Sequence, residues 1–181
     1  MSMGETVITI FVIFVAGVVI FVFPLTTMAN RTDDVTQQLV DSATKEFGST
    51  VVAKGKLTEQ DYTSFVEALN STGNTYDIEM ELKIKDQNAG KKTSQTTSSK
   101  TGENPYYSIF TSDLEESLKQ GGNEAEVLFN EGDIFIVSVK IKGKTIGDLL
   151  NQVMYAITQN DIYTISSSYV GTVPTNGSLA N

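Results

Sequence analysis

Residues 6–30 read TVITIFVIFVAGVVIFVFPLTTMAN, an uncharged run in which Val, Ile and Phe fill most positions between Val7 and Leu25. About 20 apolar residues of helix cross a hydrocarbon core about 30 Å thick, so the run is long enough to span a bilayer. Its β-branched residues would favour a strand in water, but lipid offers no partner for backbone N–H and C=O groups. Pro24 lies near the outer end, where a kink or an exit from the membrane is tolerated. Residues 1–30 are therefore predicted to be a short leader and a retained transmembrane helix.

The alternative for this segment is a cleaved secretory signal peptide. Such a peptide has a basic start, a shorter apolar run and a small-residue cleavage site. Residues 1–5 contain no Lys or Arg, and Thr27-Met28-Ala29 fits a cleavage site poorly. A five-residue leader is easily left in the cytoplasm, so we expect a single-pass protein in the cell membrane with its C-terminal domain outside. Charge bias gives this orientation little support, because Arg31 is the only basic residue close to the helix.

Composition restricts the partners of the soluble part. All 13 basic residues and 21 of the 22 acidic residues follow residue 30, which leaves this part with a net charge of −8. An acidic balance argues against nucleic acid and against adhesion to anionic lipid. The chain has no Cys and no His, so neither disulfides nor catalytic schemes built on those residues are expected. We expect no enzyme activity, no catalytic residue, no cofactor and no metal site.

The region of residues 31–56 is predicted to be an amphipathic helix and a linker. Its apolar side chains recur every four residues, and one further residue widens the stripe: Val35, Leu39, Ala43, Phe47 and Val51, with Val40. Gly48 is expected to weaken the last turns. Nothing between Leu25 and Val35 clearly breaks the chain, so the simplest interpretation is one long helix that is apolar all round at first and then along one stripe.

The region of residues 57–173 is predicted to be an extracytoplasmic head. Thr58 and Asp61 form a capping box for a helix, and the perfect alternation of apolar and charged residues over residues 76–85 predicts a strand with one solvated face. Residues 86–104 have almost no apolar side chain to bury and are predicted to be a mobile insertion. Residues 174–181 are predicted to be a flexible tail.

The second half of the head continues the mixture of helices and strands. Ser112 and Glu115 are predicted to cap a short helix, and the turn-like residues 130–133 are predicted to join two strands into a hairpin. Thr145 and Asp148 form another capping box before a helical stripe, and a last strand is expected over about residues 162–173. That stripe comprises Ile146, Leu149, Leu150, Val153 and Ile157. The fold class is therefore α+β, with an antiparallel sheet of about four strands and two or three further helices.

Several short motifs suggest chemistry but have simpler explanations. Gly143-Lys144-Thr145 imitates the end of a phosphate-binding loop, yet the first Gly of that motif is replaced by Ser138. Residues 86–90 begin like a calcium loop and lack its closing Glu. Asp77, Glu79 and Glu81 could form a carboxylate cluster, but the solvated face of a half-buried sheet explains them better.

The chain resembles type IV pilin-like and pseudopilin-like proteins of tight-adherence (Tad-type) pilus loci of Gram-positive bacteria. The resemblance covers most of the chain outside residues 86–104. It is carried by the order of elements and by these segments: Arg31-Thr32-Asp33-Asp34, Gly55-Lys56-Leu57-Thr58, Tyr62, Phe65, Thr72-Gly73-Asn74-Thr75-Tyr76-Asp77-Ile78-Glu79 and Glu131-Gly132-Asp133-Ile134-Phe135.

The resemblance implies a structural rather than a chemical role. Pilins are cut after a Gly and carry a Glu at the fifth mature position, which makes Gly4 and Glu5 the residues for leader processing and assembly; here the fifth residue after Gly4 is Thr9. The helix would leave the membrane lipid and pack among copies of itself or other pilin-like subunits, with help from the assembly machinery of a type IV-like pilus or secretion system. Ala16 and Gly17 offer a place for close helix approach, and Pro24 is the third residue expected to shape the packing.

Two functions follow as expectations. The first is a pilin-like or minor pilin subunit of a surface filament or secretion pseudopilus, with a role in adhesion. The second is a single-pass accessory or binding protein of a secretion or conjugation apparatus that forms no filament.

Overall fold

The fold is α+β, as the sequence predicts. The computed structural model describes residues 3–86, 106–120, 125–158 and 164–174, with the backbone alone for 153–158. The described helices are α1 (Met3–Lys54), α2 (Glu59–Asn70), α3 (Thr111–Gln120) and α4 (Ile146–Thr158). The described strands are β1 (Lys56–Thr58), β2 (Tyr76–Lys85), β3 (Tyr106–Phe110), β4 (Glu126–Leu128), β5 (Ile134–Ile141) and β6 (Ser166–Thr172).

The chain divides into two compact units. Unit 1 comprises Met1–Thr36 and Gly143–Thr164, which hold the first part of α1 together with α4. Unit 2 comprises Gln37–Lys142 and Ile165–Asn181, which hold the end of α1, the helices α2 and α3, and the strands.

Unit 2 contains a four-stranded antiparallel sheet in the order β3-β2-β5-β6. In β2 and β5, Met80 lies opposite Val137 and Leu82 lies opposite Phe135, and all four side chains are buried. The alternation read from residues 76–85 is thus confirmed, because the apolar side chains of β2 lie on the core side.

The core of unit 2 is built by the sheet and by helices packed on it. Val40, Phe47 and Val51 of α1 are buried in it. The ring of Phe47 stacks on that of Phe65 in α2 with centroids 4.2 Å apart, and it meets the ring of Phe135 edge-on at 6.0 Å. Aromatic pairs in such arrangements add to the gain from burial alone, so this cluster joins α1 and α2 to the sheet.

The buried stripe of α1 differs from the one read from the sequence. Val35 and Leu39 are exposed, whereas Thr36, Val40 and Thr44 are buried. Residues four apart are separated by about 400° around a helix of 3.6 residues per turn, so a strict four-residue repeat drifts by about 40° per step. The row that begins at Val35 therefore cannot stay on the face that carries Phe47 and Val51.

The predicted hairpin across residues 130–133 is wrong. These residues do form a turn, in which Asp133 N–H donates to the Asn130 carbonyl at 3.0 Å and Gly132 has φ 84°. The three residues of β4 pair with β1, whereas β5 pairs with β2 and β6. The strand β1 lies partly in the segment interpreted as a linker. It pairs with β4 in the position that the hairpin prediction had assigned to β5.

Two of the three predicted caps are confirmed. At α2, Thr58 Oγ1 accepts from Asp61 N–H at 3.2 Å. At α4, Thr145 N–H donates to Asp148 Oδ2 at 3.0 Å and Asp148 N–H donates to Thr145 Oγ1 at 2.9 Å, which is a reciprocal capping box. The third prediction is wrong, because α3 begins at Thr111 and so includes Ser112.

The third cap fails because α3 begins at Thr111, directly after β3 ends at Phe110. Thr111 Oγ1 accepts from Met80 N–H at 2.6 Å and donates to the Met80 carbonyl at 3.1 Å. Glu115 accepts a hydrogen bond from Tyr62 and another from Lys119. Long-range contacts thus decide a boundary that a local motif predicted two residues later.

Several predictions concern residues outside the described part of the chain. They are the body of the insertion at 86–104, the start of the last strand near residue 162, and the tail beyond residue 174.

Candidate membrane-anchoring and assembly helix

The first part of α1 exposes large apolar side chains on every side. Among the described residues, α1 is the one helix long and apolar enough to cross a membrane, and none of its most apolar window of 18 residues is buried. A core helix of a soluble domain would bury such residues. The helix is therefore a candidate membrane anchor, as the sequence predicts.

Three Thr side chains of this segment have local hydrogen-bond partners. Each donates its hydroxyl to the backbone carbonyl four residues earlier, over distances of 2.8–3.0 Å: Thr9 to Glu5, Thr26 to Val22, and Thr27 to Phe23. A hydroxyl in hydrocarbon needs such a partner because no water is there to supply one. These three hydroxyls thus fit a lipid environment.

Pro24 lies inside α1 without ending it. Proline has no N–H, so the carbonyl of Ile20 cannot receive the usual helical bond from residue 24. The helix nevertheless continues to Lys54. The sequence allowed either a kink or an exit at Pro24, and the chain does not leave the helix there.

Ala16 and Gly17 form a small-residue patch on α1. A Cβ built on Gly17 would meet no atom within 4 Å. Within the described part of the chain, therefore, nothing uses the close approach that Gly17 permits. Its role in packing between helices stays a prediction.

Gly4 and Glu5 lie in the first turn of α1, which begins at Met3. A carboxylate is favoured there because the first turn of a helix carries a partial positive charge. Thr9, the fifth residue after Gly4, donates to the Glu5 carbonyl at 2.8 Å. Processing after Gly4 stays a prediction.

Unit 1 contains a polar collar where α4 meets α1, formed by Asn30, Asp33, Thr145, Asp148 and Asn151. Thr145 Oγ1 donates to Asp33 Oδ2 at 2.8 Å, and Asn151 Nδ2 donates to Asn30 Oδ1 at 2.9 Å. Burial raises the pKa of Asp33; the bond from Thr145 opposes this rise, and the nearby charges of Asp148 and Asp34 add to it. Sequence reasoning missed the collar, because Asp33 and Thr145 are 112 residues apart and no pairing motif links them.

The acidic row on β2 forms no recognisable site. Asp77 and Glu79 are exposed, and Glu81 accepts a hydrogen bond from Ser108 at 2.6 Å and lies 3.8 Å from Lys83 Nζ. Among the described residues, no group of three acidic side chains is placed to hold a metal ion. These three side chains lie on the solvated face of the sheet, where charged residues are expected.

Comparisons with models of protein families, with curated proteins and with solved structures found no match to this chain. The functional argument therefore depends on the residues of the chain itself.

Proposed function

We propose that this chain is a structural, pilin-like subunit, either major or minor, that is held in the membrane by the first part of α1 and assembles into or onto a surface filament or secretion pseudopilus. The observation that supports it best is the composition of α1 along its length. One helix of 52 residues exposes a transmembrane-length apolar surface near its start and gives Val40, Phe47 and Val51 to a folded core near its end.

A continuous helix suits a filament because it can be transferred from lipid to neighbouring helices without refolding. Lipid tails are as apolar as Val or Ile, so association gains little from further burial and depends on close packing between helices. Ala16 and Gly17 supply small side chains for that packing. The head, with its exposed sheet face, would decorate the shaft or the tip.

The first test is mass spectrometry of the native N-terminus, combined with fractionation of cells into sheared filaments and membranes. We expect a mature chain that starts at Glu5 and enters the sheared fraction together with other pilus components. An intact N-terminus in membranes alone, with stable partners and no filament loss on deletion, would establish the accessory-protein alternative instead. A mature chain that begins near Asn30 would contradict both, because the anchor would then be removed.

A further inference from the structure

Helix α4 turns its apolar side away from the rest of unit 1. The side chains of Ile146 and Leu149 are 73% and 53% exposed, whereas Gly147 and Asp148 are buried. Amphipathic helices of soluble domains place these two faces the other way round, with the apolar stripe against the core. An exposed apolar helix face of this kind indicates a surface that something else covers.

The polar side of α4 is the side held by α1. Thr145 and Asn151 bond to Asp33 and Asn30 at 2.8 and 2.9 Å. The Asp33 carboxylate also lies so close to Gly147 that a Cβ there would overlap it. The polar collar therefore fixes the rotation of α4 and leaves the row of Ile146 and Leu149 outward.

The direction of α4 brings this row toward the end of the apolar segment. The start of α4 is bonded at Asp33 and the next turns at Asn30, so α4 runs back toward the N-terminal part of α1. Asn30 is five residues beyond Leu25, or about 8 Å at 1.5 Å per residue. The backbone of α4 continues to Thr158, which adds about 10 Å in the same direction.

The apolar pattern of α4 continues in the sequence beyond Leu149. At the same helical spacing the sequence places Val153 and Ile157, and Asp148 is the one charged residue between Thr145 and Thr158. Asp148 is buried and caps the helix through Thr145. Among the described residues of α4, therefore, no charged side chain lies on the exposed face to oppose contact with hydrocarbon.

We propose that the outward face of α4, defined by Ile146 and Leu149, rests in the lipid at the membrane surface beside the exit of α1. This inference depends on the proposed function, because it requires residues 7–25 to cross the bilayer. An interfacial helix buries its apolar face at the boundary between headgroups and acyl chains. The acidic chain offers no attraction to anionic lipid, so contact comes from apolar burial, needs no anionic lipid and persists in high salt.

The test uses the full chain reconstituted in phosphatidylcholine vesicles. The sequence has no Cys, so a single L149C or I146C substitution gives one site for an environment-sensitive fluorophore. V170C, at an exposed position on β6 of unit 2, is the matched control, and V15C reports on the anchor itself. Quenching by nitroxide-labelled lipid is compared with quenching by aqueous iodide.

We expect the labels at positions 149 and 146 to be quenched by the lipid nitroxide and protected from iodide, with the reverse at position 170. A label at position 15 in lipid together with iodide-quenched labels at positions 146 and 149 would overturn this inference and leave the anchor intact. Protection from both quenchers that grows with protein density would also overturn it, in favour of a second copy on this face. A label at position 15 that iodide reaches would instead contradict the membrane anchor on which the proposed function depends.

Discussion

Tyr62 joins α2 to α3 through one charged hydrogen bond. Its hydroxyl is half-buried and donates to Glu115 Oε1 at 2.7 Å. This bond lowers the pKa of Glu115, against the opposing effect of burial and with help from Lys119. A carboxyl whose folded pKa is depressed contributes stability above its unfolded pKa and loses it as the pH falls through the folded pKa. The contribution of the Tyr62 hydroxyl should therefore depend on pH.

We expect Tyr62→Phe to lower the free energy of unfolding by about 1 kcal/mol at pH 7, since Glu115 remains partly solvated. The loss should shrink once Glu115 is protonated, below about pH 4. Urea titration of the detergent-solubilised protein, followed by circular dichroism at several pH values, measures it. Tyr76→Phe is the matched control, because the Tyr76 hydroxyl bonds to the neutral hydroxyl of Thr72 at 2.7 Å. If the loss of unfolding free energy does not change with pH in either variant, the role given to Glu115 is contradicted.

The reason for a glycine at position 48 is visible only in the structure. Read alone, a Gly inside a helix only weakens it, and Ala would stabilise the helix by about 1 kcal/mol. In the structure a Cβ on Gly48 would overlap the ring of Tyr169 on β6. We expect Gly48→Ala to destabilise unit 2 by about 1–3 kcal/mol instead.

The measurement for Gly48 is the midpoint of urea unfolding, read in the single and double variants. Adding Tyr169→Ala should reverse the sign of the Gly48→Ala effect, since the overlapping ring is then absent. Gly17→Ala, where a Cβ meets no atom within 4 Å, serves as the control. Stabilisation by Gly48→Ala in the otherwise unchanged chain would show that the ring moves aside at no cost.

At the scale of elements, Thr145 both caps α4 and bonds this helix to α1. Thr145 Oγ1 accepts from Asp148 N–H at 2.9 Å and donates to Asp33 Oδ2 at 2.8 Å. Replacing a Thr cap by Ala costs about 1 kcal/mol. We expect Thr145→Ala to speed amide hydrogen exchange selectively in α4, because both its cap and its bond to α1 are lost.

Thr58→Ala provides the comparison, because Thr58 caps α2 through the same type of bond to Asp61 N–H. It should speed exchange in α2 and leave α4 unchanged, whereas Thr145→Ala should do the opposite. Equal acceleration in both helices by either variant would mean that the two units open together rather than separately.

An element was predictable from the sequence where the interactions that define it join residues close together in the chain. The bounds of β2 and the caps of α2 and α4 were readable, since alternation and capping boxes act within ten residues. The pairing of β4 with β1 was not, because three-residue strands leave no periodic signal and the register is set by residues some 70 positions apart. The start of α3 at Thr111 likewise depends on Met80, 31 residues away.

At the scale of the whole molecule, the candidate anchor was predictable from composition and the polar collar was not. The apolar run needs no partner to be recognised, because length and hydropathy alone decide its fit to a bilayer. The outward rotation of α4 depends on contacts of Thr145 and Asn151 with distant Asp33 and Asn30. The stripe of α4 was visible in the sequence, but which way it faces is a property of the folded unit.

Assembly provides the last prediction at this scale. A Cβ on Gly17 would meet no atom within 4 Å, so a larger side chain there should leave the fold intact. If Gly17 is where neighbouring helices approach, Gly17→Leu fills that space and prevents close packing, since small residues permit such approach in apolar helices. We expect the Gly17→Leu variant to be absent from the sheared filament fraction, while its level in the membrane and its circular dichroism spectrum stay unchanged.

Ile20→Leu is the matched control, because Ile20 is exposed on the same helix and the substitution conserves volume. It should assemble normally, which would separate a loss of close approach from a general sensitivity of the apolar segment. If Gly17→Leu enters filaments as well as the unchanged chain does, the packing surface of α1 lies elsewhere on the helix. The pilin-like role would then need another contact to hold the subunits together, because exposed Val, Ile and Phe alone gain little on leaving lipid for protein.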